Sequence, residues 1–115
     1  MKFETVSPEL SVSGQIQPSD VEAIKAAGFR TIICNRPDGE AGDQPNFAKI
    51  RRAAAAVGVE ARYIPVQASG VTLDNISDFA VALHDLPNPV LAYCRSGRRS
   101  ATLWSRLVEQ TGQSA

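Results

Sequence analysis

Short apolar runs alternate with longer amphipathic stretches along this chain. Thr31–Cys34 and Val90–Tyr93 are continuous runs of the β-branched, apolar and aromatic residues that favour buried strands, and residues 61–66 have a similar character. Between and after them the apolar spacing predicts helices over residues 20–27, 46–57, 72–84 and 101–110. Strands and helices therefore alternate along most of the sequence.

Capping and turn residues set the predicted boundaries. Ser19 and Glu22 have the spacing of a capping box, and Thr72 is a typical N-cap residue. Glycines close the first two helices, at Gly28 and Gly58. Polar loops are predicted over residues 35–44 and 67–71, and a turn over residues 87–89, which read Pro-Asn-Pro.

This alternation predicts a single α/β domain over residues 1–115, with a mostly parallel central sheet flanked by helices. Ligands of such sheets bind at the carboxyl ends of the strands. The loops that follow Cys34, Val66 and Tyr93 should open on that edge, so three separate segments can contribute to one pocket.

Charge and composition narrow the possible functions. The chain carries 12 Lys and Arg residues and 12 Asp and Glu residues, so its net charge gives no reason to expect a nucleic acid or an anionic membrane as a partner. The N-terminus does not resemble a signal peptide, and a cytoplasmic location is expected. The two cysteines are far apart and lie in no metal-binding pattern, so neither a disulfide nor a metal or cofactor site is expected.

The chemistry concentrates in the segment from Cys94 to Ser100. Cys94 ends a buried strand, and a cationic loop and a predicted helix follow directly. Loop amides, a helix N-terminus and guanidinium groups around a thiol favour the thiolate, so the pKa of Cys94 should lie below the free value of about 8.5. The same groups would bind a tetrahedral anion, with Arg99 holding two oxygens in a forked contact. The substrate-binding residues predicted beside Cys94 and Arg99 are Arg95, Ser96, Gly97, Arg98 and Ser100.

The spacing within this segment is informative. Four residues separate Cys94 from Arg99, whereas the loop of protein tyrosine phosphatases has five between its Cys and its Arg. The segment CRSGRRS instead resembles the active loop of single-domain rhodaneses, which carry a persulfide on the cysteine. The alternative is that Cys94 is a buried structural cysteine and the arginines form a solvated surface run.

Several segments together resemble the beta-lactamase-hydrolase-like family. They are residues 13–16, 20–21, 27–29, 31–33, 35–40 (NRPDGE), 64–66 and 94–97. The resemblance implies a dual-specificity-phosphatase-like fold and membership among small bacterial sulfur transferases. It also implies that the domain stands alone or is fused to a persulfide dioxygenase, which would then be a partner.

Two departures from the phosphatase pattern affect the choice of reaction. Dual-specificity phosphatases usually have His before the nucleophile, where this chain has Tyr93, and a general-acid Asp near the position of Gln67. An amide cannot donate a proton to a leaving alkoxide, so the usual acid is missing. Sulfur transfer from thiosulfate needs no such acid, because sulfite leaves as a stable anion.

Three other side chains have two interpretations each. Arg36 either recognises an anion or pairs with Asp38 or Glu40, and Ser100 either hydrogen-bonds the sulfur or caps the last helix. Cys34 is either a resolving thiol or a small buried hydrophobe. Gln67 is included among the substrate-binding residues because it should lie at the pocket edge.

These observations lead to three hypotheses. The first is a rhodanese-type sulfurtransferase that takes sulfane sulfur from thiosulfate or a persulfide onto Cys94 and passes it to glutathione, another thiol or cyanide. The second is a cysteine-dependent phosphatase for aryl phosphates, with Asp43 or Asp74 as a replacement acid. The third is a module that binds an anion or stores persulfide without turnover.

Overall fold

The computed structural model describes residues 2–112 and is built around one five-stranded sheet. Its strands are β1 (Glu4–Ser7), β2 (Leu10–Ser13), β3 (Thr31–Cys34), β4 (Glu60–Tyr63) and β5 (Val90–Tyr93), in the order β1-β2-β5-β3-β4. Only β1 is antiparallel to its neighbour, and β2, β5, β3 and β4 run parallel. The predicted α/β fold with a mostly parallel sheet is confirmed.

In the part of the chain that the structure describes, four α-helices connect and cover the strands: α1 (Val21–Ala26), α2 (Phe47–Ala56), α3 (Leu73–Asp85) and α4 (Arg98–Thr111). The Asn46 side chain caps α2 by accepting a hydrogen bond from the Lys49 amide. Thr72 and Asn75 form a reciprocal capping box at the start of α3. None of the helices within residues 2–112 is long and apolar enough to cross a membrane.

Two apolar cores lie on opposite faces of the sheet. On one face Ile33 and Ala92 pack against residues of α3 and α4 such as Phe79 and Leu103. On the other face the alternate strand residues pack against α1 and α2; this core includes Ile24, Ile32, Ile50, Leu91 and Tyr93. Successive strand residues point to opposite faces, so β3 and β5, buried on both, read as continuous apolar runs.

The structure differs from the prediction in several elements. The hairpin β1–β2 was not predicted, although β2 lies beside β5 and is buried along its length. A 3-10 turn, Pro18–Asp20, precedes α1, and the Asp20 carboxylate accepts a hydrogen bond from the Gln17 amide, so the capping box predicted at Ser19 and Glu22 is wrong. Strand β4 ends at Tyr63, and the chain after it keeps single hydrogen bonds to the end of β3.

The last helix begins three residues earlier than predicted. Gly97, at φ +93°, occupies the N-cap position and α4 starts at Arg98. Ser100 therefore lies inside the first turn, so its interpretation as the helix cap, one of the two considered, is wrong. The early start brings the helix N-terminus directly against Cys94.

Candidate active site

The residues from Cys94 to Arg99 form a tight turn at the carboxyl edge of the sheet, which we call the Cys94 loop. Its first two residues are tied to β2 and the segment after it, because the Cys94 amide donates to the Ser13 carbonyl at 3.3 Å and the Gln15 amide donates to the Arg95 carbonyl at 3.2 Å. A Cβ atom on Gly97 would lie 3.3 Å from the Ser13 backbone. The loop therefore needs glycine at position 97 for both its positive φ and its close approach to β2.

Several backbone amides converge on the Cys94 sulfur. The Gly97 amide donates to Sγ at 3.1 Å. Cys94 as a whole is only 1% exposed. Burial alone raises the pKa of Cys94, but hydrogen bonds from the amides of Ser100, Ser96, Arg99 and Gly97 outweigh it, so the pKa is lowered. This environment favours the thiolate expected from the sequence.

Arg99 is held by a forked ion pair. Its Nη1 and Nη2 donate to the two carboxylate oxygens of Glu40 at 2.7 and 2.9 Å, and Nη1 also donates to the Val66 carbonyl at 2.8 Å. The hydrogen bond from Arg99 is the main cause that holds the pKa of Glu40 below its usual value. The guanidinium plane is therefore fixed at the mouth of the Cys94 loop before any anion binds.

Glu40 also anchors Arg36. The Arg36 Nε donates to Glu40 Oε1 at 3.1 Å, and Nη1 donates to the side-chain oxygen of Gln15 at 3.0 Å. Arg36 is buried, with 6% of its surface exposed. Of its two sequence-based interpretations, the structure contains the ion pair, made with Glu40 and not with Asp38.

An open cleft of about 650 Å³ lies over this network. It is lined by Gln15, Gln17, Arg36, Glu40, Ala41, Asp43, Gln44, Pro45, Ala68, Arg95 and Arg99. Asp43 and Arg95 make no side-chain hydrogen bond or ion pair with the residues that the structure describes. The cleft thus presents one uncommitted carboxylate and one uncommitted guanidinium.

The predicted binding residues divide between two surfaces. Arg36, Arg95 and Arg99 line the cleft, whereas Ser96, Gly97 and Arg98 line a second groove on the other side of the Cys94 loop. The Gln67 side chain is exposed and Ala68 occupies the cleft wall instead. Of the two acids suggested by the sequence, Asp43 lines the cleft and Asp74 does not.

Cys34 lies on the opposite face of the sheet core from α4. It is 2% exposed, its thiol donates to the Arg36 carbonyl at 3.2 Å, and burial raises its pKa to about 11. A thiol that is neutral at ordinary pH fits the structural role better than the role of a resolving nucleophile.

Sequence reasoning missed Gln15 and gave Asn35 no contact, although it placed Asn35 in a loop at the pocket edge. Gln15 reaches the network from the segment after β2, and Asn35 accepts a hydrogen bond from the Ser100 hydroxyl at 2.8 Å. Both lie in segments that contribute to the family resemblance. Their contacts join residues 21 and 65 positions apart, so local spacing could not assign them.

Comparison with known proteins shows the family. Residues 2–112 match the family described as beta-lactamase hydrolase-like protein, phosphatase-like domain. Beta-lactamase hydrolase-like proteins of Agrobacterium fabrum (strain C58) and Xylella fastidiosa (strain Temecula1) are 35% and 31% identical to 90% and 91% of this chain, respectively. The chain spans only 24% of the length of each of these relatives.

Solved structures give the same picture of the fold. A candidate phosphatase of Neisseria meningitidis Z2491 is 35% identical, with a TM-score of 0.89 over 99% of this chain and 81% of its own. Tk-PTP in its active form, at 16% identity, has a TM-score of 0.69 over 97% of this chain and 76% of its own. The core domain of a PP-IP phosphatase of S. cerevisiae, at 13% identity, has a TM-score of 0.73 over 97% of this chain and 67% of its own. The chain belongs to the beta-lactamase hydrolase-like family, as its phosphatase-like domain, and it has the fold of protein tyrosine phosphatases.

Proposed function

We propose that this phosphatase-like domain is a rhodanese-type sulfurtransferase in which Cys94 is the nucleophile and Arg99, with the Cys94-loop amides, holds the anionic donor. The observation that carries the proposal is the combination of a stabilised thiolate with the lack of a free acid at the phosphatase position. The amides around Sγ and the fixed Arg99 guanidinium support attack on an anion. The leaving group then has to depart without a proton from Gln67.

Of the two acidic side chains in the cleft, Glu40 supports this choice. Among the described residues that line it, only Glu40 and Asp43 carry carboxyl groups. Glu40 is ion-paired with Arg99 and Arg36 and has a lowered pKa, so it is an anion and holds no proton to donate. A reaction whose leaving group is already a stable anion suits this site.

Thiosulfate meets that requirement. The Cys94 thiolate attacks the sulfane sulfur, a Cys94–S bond forms, and the bond to the sulfonate sulfur breaks with its electron pair on sulfite. Arg99 and the loop amides hold the sulfonate oxygens while negative charge moves onto sulfite. Cys94 is left as a persulfide, and a thiolate or cyanide then attacks its outer sulfur and restores the Cys94 thiolate.

The shape and charge of the cleft fit a second, larger substrate. About 650 Å³ is more than thiosulfate needs, and the uncommitted Asp43 and Arg95 offer opposite charges to a zwitterionic thiol. Glutathione has both a carboxylate and an ammonium group, so we propose it as the acceptor, with a persulfide dioxygenase as the consumer of the product. The reaction would run in the cytoplasm, where thiols stay reduced.

Intact mass measurement tests the first half-reaction. Incubation with thiosulfate should add one sulfur atom to the wild-type protein, cyanide should remove it, and the Cys94→Ser variant should gain none. The Cys34→Ala variant is the matched control, because it removes the other cysteine and should still gain the sulfur. A wild-type protein that gains no sulfur would exclude this reaction with thiosulfate.

A phosphatase is the second candidate, and two observations favour it. The family and the most similar solved structure named above are described as phosphatase-like and as a candidate phosphatase. Asp43 lines the same cleft as Arg99 and could protonate a leaving oxygen from an unexpected direction. The shorter Cys94 loop counts against it, because a phosphoryl group misplaced by about 1 Å can cost on the order of a hundredfold in rate.

Leaving groups separate the two candidates. The comparison is kcat/KM for thiosulfate, a phosphotyrosine peptide and a phosphoserine peptide in one buffer free of phosphate and sulfate. The sulfurtransferase should prefer thiosulfate and hydrolyse only the aryl ester, slowly, because a phenolate leaves unaided. Efficient phosphoserine hydrolysis that is lost in Asp43→Asn would establish the phosphatase, and anion binding with no turnover would indicate a binding module.

A further inference from the structure

Beneath the Cys94 loop lies a buried hydrogen-bonded pair that the reaction itself does not use. Asn35, directly after β3, and Ser100, in the first turn of α4, are each 0% exposed. The Ser100 hydroxyl donates to Asn35 Oδ1 at 2.8 Å, and Asn35 Nδ2 donates to the Ile64 carbonyl at 2.9 Å. The pair thus connects α4 to the chain after β4.

The direction of these hydrogen bonds follows from their partners. A carbonyl can only accept, so the Asn35 nitrogen must face Ile64 and its oxygen must face Ser100. The Ser100 hydroxyl is then the donor to Asn35, and a hydroxyl has only one hydrogen to donate. The side chain of Ser100 is therefore committed to Asn35 and is not a donor to the Cys94 sulfur.

Ser100 serves the sulfur through its backbone instead. Its amide and that of Arg99 help to lower the pKa of Cys94, and the Gly97 amide, at the start of the same helix turn, donates to Sγ at 3.1 Å. The backbone of Asn35 is itself fixed on two sides, because its amide donates to the Tyr93 carbonyl at 2.7 Å and its carbonyl accepts from the Val66 amide at 2.9 Å. Asn35, fixed at the end of β3, thus holds the first turn of α4, whose amides face Cys94.

We propose that Asn35 is a positioning residue, which uses its bond to the Ser100 hydroxyl to hold the first turn of α4 with the Arg99 and Ser100 amides directed at Cys94 Sγ. The proposal rests on the proposed function only in taking Cys94 as the nucleophile, and it applies equally to sulfur transfer and to phosphoryl transfer. Without the bond, the turn is free to shift, and amide hydrogen bonds weaken steeply as distance and angle worsen.

The test is the pH dependence of Cys94 alkylation by iodoacetamide, followed by peptide mass spectrometry so that Cys34 is counted separately. Asn35→Ala and Ser100→Ala should both raise the apparent pKa of Cys94, Asn35→Ala by about one unit, which is about tenfold less thiolate at any pH well below both pKa values. Ser100→Ala keeps every backbone amide and serves as the milder variant if Asn35→Ala does not fold.

Thr31→Val is the matched control, since Thr31 lies at the opposite end of the same strand and is also 0% exposed. Its hydroxyl donates to the Pro87 carbonyl at 2.6 Å, so the variant loses one buried hydrogen bond far from Cys94. It should lower the melting temperature and leave the alkylation pKa unchanged.

The proposal is overturned if the folded Asn35 or Ser100 variants keep the wild-type pKa or lower it. A wild-type Cys94 with no lowered pKa would instead refute its role as an activated nucleophile, and with it the proposed function.

Discussion

Replacing Glu40 with Gln should reveal how much stability the ion pairs of the Glu40 carboxylate with Arg99 and Arg36 contribute. Glu40 receives two hydrogen bonds from Arg99 and one from Arg36, and its side chain is 21% exposed. Gln has nearly the same shape and no charge. The variant would therefore leave two guanidinium groups facing a neutral amide, one of them on the buried Arg36.

The expected cost lies between the limits for surface and buried ion pairs. Exposed pairs contribute about 0–1 kcal/mol, whereas removing one partner of a fully buried pair costs about 3–5 kcal/mol. The side chains of Arg99 and Glu40 are 16% and 21% exposed, but Glu40 as a whole residue is exposed, so the pair lies nearer the surface limit. We expect Glu40→Gln to lower the free energy of unfolding by about 1 kcal/mol at pH 7.

The difference in the free energy of unfolding between the wild type and Glu40→Gln should become smaller as the pH falls. The folded pKa of Glu40 is lowered from the ordinary value of 4.5, first by the hydrogen bond from Arg99. Its stabilising effect is therefore complete above that ordinary value and is lost as the pH falls through the folded pKa. Denaturant unfolding of wild type and Glu40→Gln at steps from pH 7 to below 4 should show the two stabilities converging.

Glu60→Gln is the matched control, because Glu60 is exposed and has no ion pair with the described residues. It should change the stability by less than about 0.5 kcal/mol, as surface substitutions usually do. A Glu40→Gln variant as stable as the wild type at pH 7, or a difference that stays constant to acid pH, would refute the reasoning.

Three further predictions concern the site. Arg99→Lys should restore only part of the thiosulfate kcat/KM that Arg99→Ala loses, because a single ammonium cannot hold two oxygens of the anion in a forked contact. Equal activity in all three forms would place the anion elsewhere. Cys34→Ala should load sulfur at a rate close to wild type in single-turnover mass measurements, and a block confined to persulfide release would restore its role as a resolving thiol. Gly97→Ala should destabilise the fold by about 2 kcal/mol, because φ +93° is costly for a residue with a Cβ that would also press on Ser13; calorimetry that shows an unchanged melting temperature would contradict this.

Local signals predicted the parts of the fold that depend on neighbours in sequence. Helices α2 and α3 were placed within one or two residues, because Asn46 and Thr72 cap them through their own side chains. Strands β3 and β5 were predicted with their observed bounds, since burial on both faces leaves a continuous apolar run. Cys94 could be proposed as the nucleophile because it follows a buried strand directly, and a cationic loop with Gly97 and a helix come next.

The parts that were missed depend on contacts between distant segments. Strand β2 is short and alternates Ser with apolar residues, and its burial comes from pairing with β5 some 80 positions later. Helix α4 starts at Arg98 because Gly97 adopts a positive φ close against the backbone of Ser13, a residue of the distant strand β2. The ion pair of Glu40 with Arg99 spans 59 positions, and Asn35 is 65 positions from Ser100.

Two of these distant contacts begin in one loop, the segment after β3. They join the two short segments that carried much of the family resemblance. Asn35 and Glu40 both belong to the NRPDGE segment after β3, and each binds a different residue of CRSGRRS after β5. Asn35 holds the first turn of α4, where the amides meet the sulfur, and Glu40 holds the guanidinium that faces the anion. Strands β3 and β5 are neighbours in parallel register, so their ends deliver both segments to the same edge. The proposed nucleophile, Cys94, and the proposed anion-binding group, Arg99, therefore depend on a single supporting loop, and we expect substitutions in that loop to change the chemistry of Cys94 without contacting the substrate.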